Sequence, residues 1–308
     1  MKQYKLVLEG LKQLKWQPCE IRTIQDDEII VKTIAGAISI GAELPQYKES
    51  DVTDINPLYP RKTGYESYGE VIQVGNKVTN LKIGDKVVSF YGHQTIGIVK
   101  GHKVIQVPSC IKPKVALLSI LSCDAAKGVL KLNPGKNKKV LITGLGVMGL
   151  LACYFLKYYA GVDHVDVVEP NRTRREFAKK FGVKNIYDSE EKIIETYSYG
   201  FECSATNSGF RTLQNALNSN GVICILSDGN KEELTLTAEF YEKELQIIGS
   251  SDGYDYQKHA DWFFSQIEQT PFIEEIFQHE IHYTTLEQCF EELSEGIINP
   301  LKVFVSYE

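Results

Sequence analysis

Along the first 120 or so residues the apolar positions fall in short runs, not at helical spacing. Val71–Val74 and Lys86–Phe90 read as strands, punctuated by turns at Gly75–Asn76 and Gly84–Asp85. From about residue 138 the texture changes. Lys139–Thr143 has the continuous apolar character of a buried strand, and Gly144 opens a turn. Leu150–Tyr159 reads as a helix, His164–Val168 as a strand and Arg172–Phe181 as a helix. Three further strands are expected at Asn185–Tyr187, Tyr199–Cys203 and Gly221–Leu226, with a helix over Leu213–Leu217, and a last strand at Leu245–Gly249. Strands alternating with helices at this spacing predict an α/β domain: a parallel sheet covered on both faces. Beyond Ser250 the pattern predicts helices over Tyr256–Ile267 and around Leu286–Ile297, then a closing strand at Leu301–Val305.

Length and composition narrow the picture. The chain has 308 residues, enough for two domains. It is 43% hydrophobic and 24% charged, which excludes wholesale disorder. The net charge of −6, with no basic cluster, argues against a nucleic-acid partner. The uncharged run Val140–Leu156 is 17 residues long and carries three glycines, so it reads as strand–turn–helix and not as a membrane span. The first residues lack a secretory apolar core. Seven scattered cysteines without a C-x-x-C pair predict reduced thiols and a cytoplasmic location. Trp262–Phe264 fits either a core position or the seam of a homodimer.

The most specific motif is Gly144-Leu145-Gly146-Val147-Met148-Gly149. It follows a strand, opens a helix, and precedes Glu169 at the end of the next strand, 20 residues past Gly149. In that context G-x-G-x-x-G predicts a dinucleotide site, with the pyrophosphate at the helix N-terminus and the acid on the adenosine ribose. Glu169 favours NAD over NADP, because a carboxylate repels a 2′-phosphate. Arg172, Arg174 and Arg175 pull the other way.

Gly64-Tyr65-Glu66-Ser67-Tyr68-Gly69-Glu70-Val71, followed by Val74-Gly75, Val78 and Gly84-Asp85-Lys86-Val87, resembles the G-H-E-x-x-G-x-V…V-G…G-D-x-V stretch of the medium-chain dehydrogenase/reductase superfamily. Phe201–Ser204, Gly249–Ser251 and Leu301–Val303 resemble further family segments. The resemblance implies a GroES-like, β-rich catalytic domain over residues 1–122 and 251–308, with a Rossmann domain over 123–250, and a nicotinamide cleft between them. It implies a cofactor set of Gly144, Gly146, Val147, Met148, Gly149, Glu169 and Arg174, joined by Cys203, Ser204, Ser227, Ser250 and Lys302.

Many members hold a catalytic zinc through a Cys, the His of G-H-E, and a third Cys or acid. Here Tyr65 stands at the His position, Ser39 nearest the first Cys position, and Ser119–Ile120 near the third. Hydroxyls are poor zinc ligands beside thiolate and imidazole. Cys123 and His93 offer one thiolate and one imidazole, short of three protein ligands. No metal is therefore expected, and the departures resemble a zinc-free branch that includes the bacteriochlorophyllide dehydrogenases.

Without zinc the substrate oxygen needs a side-chain proton donor. Tyr65 and Ser39 are candidates by position. Asp124 and Lys127, three apart at the start of an expected helix, are candidates as a pair. The leading expectation is an NAD-dependent, zinc-independent oxidoreductase that interconverts an alcohol and a carbonyl on a small molecule. The alternatives are a zinc-free C=C reductase of the quinone or enone type, and a dinucleotide-binding protein without catalysis.

Overall fold

The computed structural model describes residues 3–229 and 231–308. The chain divides into two compact units: Met1–Ser50, Asp54–Ile120 and Tyr256–Glu308 form the first, and Asp51–Thr53 with Leu121–Asp255 the second. The later boundary lies beyond the expected 250, and the earlier one falls inside a single helix, Pro113–Leu132.

The first unit is built on the strand Glu28–Ile38, whose residues are nearly all buried. It pairs antiparallel with Glu66–Val74, Lys302–Ser306 and Ile96–Lys100. Phe277–His282, Lys86–Ser89 and Ile105–Val107 complete this sheet of seven strands. A three-stranded sheet of Gln3–Gly10, Gln13–Cys19 and Arg61–Lys62 stands apart from it. Two apolar clusters fill the unit, one around Leu6, Ile38, Tyr47, Phe290 and Val305, the other around Ile29, Val31, Val71 and Val87. Register places Ala37 opposite Glu66 and Ile38 opposite Val303. Ser39, Tyr65–Glu66 and Lys302 therefore sit together at one end of three adjacent strands.

Two helices interrupt the segment expected to be β-rich: Ile40–Lys48 and the first part of Pro113–Leu132. The shorter one buries Ala42, Glu43, Pro45 and Tyr47. A carboxylate and a proline among the buried positions hide it from a search for apolar spacing. Phe263 and Phe264 are buried within this unit, so both belong to its core.

In the second unit six parallel strands run in the order Ile186–Tyr187, His164–Val168, Lys139–Thr143, Tyr197–Glu202, Leu217–Ile225 and Gln246–Gly249. This is the doubly wound order of dinucleotide folds, with its switch point beside Lys139–Thr143. Leu141, Tyr197, Phe210, Leu213 and Ile223 pack one face. The expected helix over Leu213–Leu217 is instead Asn207–Ala216, started by Thr206, whose Oγ1 accepts the Gly209 amide at 3.2 Å. The uncharged run Val140–Leu156 divides into a strand and the helix Val147–Tyr158. Among the described residues no helix is long and apolar enough to cross a membrane.

Candidate active site

The dinucleotide features gather at the C-terminal ends of the parallel strands, where ligands of such sheets lie. Register sets Thr143 level with Val168 and Glu202, and Ile225 level with Glu202 and Gly249. Gly144 turns the chain with φ of +86°, and a Cβ there would meet the Ser204 backbone at 2.8 Å. Gly149 packs tighter: its Cβ would fall 2.0 Å from the Gly144 carbonyl oxygen. Gly146 caps the helix Val147–Tyr158, and nothing lies within 4 Å of a Cβ built there. The turn is thus closed where helix meets strand and open where an anion would approach. It fits a pyrophosphate held by backbone amides at a helix N-terminus.

Glu169 is only 4% exposed. Its Oε2 accepts the Leu145 amide and its Oε1 the Asn171 amide, each at 2.8 Å. The carboxylate ties the glycine turn to the next strand end and still has lone pairs for a ribose. Asn171 caps the following helix through the Arg174 amide at 3.1 Å. Arg175 donates from Nη1 to the carbonyls of Glu169 and Pro170 at 2.8 and 2.6 Å.

One step along the sheet, fully buried Glu202 collects Ser204 through its amide at 2.7 Å and through its hydroxyl, and Ser227 through its hydroxyl. Sequence reasoning passed over Glu202, although an acid inside the apolar run Tyr199–Cys203 was the available signal. Burial, and then Glu202, push the neighbouring Cys203 thiol well above its ordinary value, so it stays protonated. Just past the last strand, Ser250 keeps a buried hydroxyl oxygen without a partner among the described residues.

Asp124 and Lys127 lie in the second half of the helix Pro113–Leu132, not at its start. Lys127 Nζ donates to the Ser251 carbonyl at 2.6 Å and lies over the Tyr254 ring. Lys131 does the same for Gly249 at 2.6 Å. These lysines hold the chain around the end of the last strand.

The first unit carries a different chemistry. Tyr65 Oη donates to Ser39 Oγ at 2.6 Å. Ser39 is 6% exposed and starts the helix Ile40–Lys48. Glu43 Oε1 accepts the Ser39 amide at 2.8 Å, and Glu43 Oε2 meets His93 Nε2 at 3.0 Å. Glu66 Oε1 accepts from Lys302 Nζ at 2.6 Å, with neither side chain exposed. Desolvation raises the Glu66 carboxyl above its ordinary value, and Lys302 offsets part of that rise. Lys302 is therefore the buried counter-charge of Glu66. Glu43 and His93 were not foreseen as a pair, since they are 50 residues apart and share no motif.

A zinc ion does not fit these donors. Two of the three ligand positions that the resemblance assigns, Ser39 and Tyr65, carry hydroxyls bonded to each other. The Nε2 of His93 is on Glu43. Cys123 belongs to the second unit, where burial and Asp124 push its thiol up to about 12. Among the described residues no three His, Cys, Asp or Glu side chains gather as a metal would require.

Sequence models of two families match the chain: the alcohol dehydrogenase GroES-like domain over residues 25–156, and zinc-binding dehydrogenase over residues 147–265. The L-threonine 3-dehydrogenase of Coxiella burnetii is 24% identical, over 92% of this chain and 92% of that protein. The 2R,3R-butanediol dehydrogenase from Bacillus subtilis superposes with a TM-score of 0.84 at 18% identity, covering 99% of this chain and 100% of the other. Acetophenone reductase from Geotrichum candidum, solved with NAD, superposes with a TM-score of 0.83 at 18% identity, covering 99% and 97%.

Proposed function

Because the chain belongs to the medium-chain dehydrogenase/reductase superfamily, we propose that it interconverts an alcohol and a carbonyl by hydride transfer, without a catalytic zinc. It is an enzyme of the medium-chain class, and its cofactor is a nicotinamide dinucleotide. When bound, that cofactor supplies or accepts the hydride. The bond from Tyr65 to Ser39 carries the zinc-free reading. Because Tyr65 donates to Ser39 Oγ, the serine proton points elsewhere and is free for a substrate oxygen. As that oxygen gains charge on reduction, Ser39 stabilises it and Tyr65 strengthens Ser39 as a donor. In reduction Ser39 gives its proton to that oxygen and takes the Tyr65 proton, which leaves a phenolate; in alcohol oxidation the Tyr65 phenolate takes the Ser39 proton as Ser39 takes the alcohol's.

Two measurements test this. Elemental mass spectrometry of protein purified without chelator or added zinc is expected to find substoichiometric zinc. One zinc per chain, lost together with activity on chelation, overturns the zinc-free mechanism. Turnover is screened with L-threonine, 2,3-butanediol and acetophenone as probes. On the fastest of them, Tyr65→Phe is expected to lower kcat by about ten-fold or more while NADH still binds. Parent-like turnover in that variant removes Tyr65 from the mechanism.

NAD is the preferred cofactor in this proposal. Glu169 is held in place by two amides, and Arg175 is engaged with carbonyls. A fixed carboxylate at the ribose opposes a 2′-phosphate. Fluorescence titration is expected to give a lower Kd for NADH than for NADPH, and the reverse order refutes the assignment.

A further inference from the structure

The hydroxyl of an N-cap serine ordinarily accepts an amide hydrogen from the first turn of its helix. Ser39 is such a cap, yet its hydroxyl makes no such bond. Its backbone carbonyl instead takes the Ala42 and Glu43 amides at 3.0 and 2.8 Å. Its own amide is taken by Glu43 Oε1 at 2.8 Å. Both backbone groups of Ser39 are thereby fixed, and the hydroxyl is left to Tyr65.

Glu43 is buried, at 5% exposed, so its carboxylate needs a partner inside the protein. His93 supplies one at 3.0 Å and is itself 3% exposed. The His93 amide donates to the Thr63 carbonyl at 2.9 Å. Its ring packs on the turn at Gly64, where φ is +72° and a Cβ would come within 2.7 Å of the imidazole. Gly64 directly precedes Tyr65, so one histidine braces both Glu43 and the turn that carries Tyr65. Glu43 and His93 also act electrostatically on Glu66, whose own charge is answered by Lys302.

We infer that Glu43 and His93 are positioning residues for the Ser39–Tyr65 hydroxyl pair: braced by His93, Glu43 holds the Ser39 backbone and so releases the Ser39 hydroxyl from helix capping for use at the substrate oxygen. This rests on the zinc-free reading above. It adds that the two hydroxyls work only while a buried carboxylate and imidazole, touching neither substrate nor cofactor, hold them.

The test reads Tyr65 directly, with no substrate needed. Protein labelled with carbon-13 at the tyrosine ζ-carbon is examined by NMR, and the Tyr65 signal is assigned by its loss in Tyr65→Phe. Ser39→Ala, which removes the accepting hydroxyl, is expected to move the signal and its ionisation midpoint. Glu43→Ala and His93→Gln are expected to move both in the same direction. Glu43→Gln keeps an oxygen for the Ser39 amide and a nitrogen for the imidazole, so it is expected to stay near the parent. Melting curves and NADH affinity show that each variant is folded. In turnover, His93→Gln is expected to lower kcat by about ten-fold, within the cost of small misplacements, with KM for NADH unchanged. Combined with Tyr65→Phe, it is expected to add little more.

A Tyr65 signal at its parent position in Glu43→Ala and His93→Gln, while Ser39→Ala moves it, overturns the inference and leaves the hydroxyl-pair mechanism standing. A signal unmoved even in Ser39→Ala shows that the hydroxyl bond itself is absent in solution, and both readings fall.

Discussion

Replacing Lys302 by Met is expected to cost about 3–5 kcal/mol of folding stability, the usual penalty for leaving one member of a buried ion pair alone. Both side chains of the Lys302–Glu66 pair have no exposed surface, so water does not screen the charge left behind. Glu66 is already short of partners, since its Oε2 is buried without a hydrogen bond among the described residues. Lys302→Met therefore takes away the cation that touches the carboxylate at 2.6 Å.

The loss should depend on pH with a definite sign. Desolvation raises the Glu66 carboxyl above its ordinary value, and Lys302 is the largest opposing cause. A carboxyl whose folded pKa exceeds its unfolded one binds its proton more tightly in the folded state. Its contribution is fully present below the unfolded value and is lost as pH rises through the raised one. Removing Lys302 raises Glu66 further and steepens that fall. Urea unfolding across a pH series should find the variant weakest at neutral pH and closest to the parent under mild acid. Converting both residues to Met should recover much of the loss, because an apolar pair leaves no charge behind. A Lys302→Met protein with parent-like stability at every pH would show that the pair contributes nothing net.

Gly149→Ala is expected to damage stability and cofactor affinity together. The added methyl would lie 2.0 Å from the Gly144 carbonyl oxygen, so helix and turn must separate. Gly144 has no room to yield, because its far side is against the Ser204 backbone. Overpacking of this kind costs about 1–3 kcal/mol. The helix N-terminus also shifts. Losing one amide–phosphate hydrogen bond, worth about 1.5–3 kcal/mol, weakens NADH binding by about ten-fold or more. Gly146→Ala separates the two effects. Nothing lies within 4 Å of its methyl, so the fold should be kept while the ligand's approach is blocked. Equal NADH affinity in the parent and both variants would remove the glycine turn from the cofactor site.

These cases differ in how far they could be read before the fold was known. The glycine turn was legible because strand, turn, helix and Glu169 follow one another closely, and each is set by nearby residues. That the sheet is parallel followed from the alternation of strands and helices. The helix Ile40–Lys48 was not legible, since its buried positions include Glu43 and Pro45. The acceptor of Lys127, the Ser251 carbonyl, was not legible either, since it is 124 positions away. Lys302 carried a family role by position, yet nothing near it in the chain announced complete burial.

What the amino-acid order determined by itself was local: a glycine turn between strand and helix, an acid at the next strand end, and hydroxyls at positions 39 and 65. What only the tertiary structure decided was which charges meet. Glu43 reaches His93 across 50 residues and Glu66 reaches Lys302 across 236. Local patterning cannot encode such pairs, because each partner is chosen by strand register and by burial, which leaves a charged group only the partners the fold brings within reach.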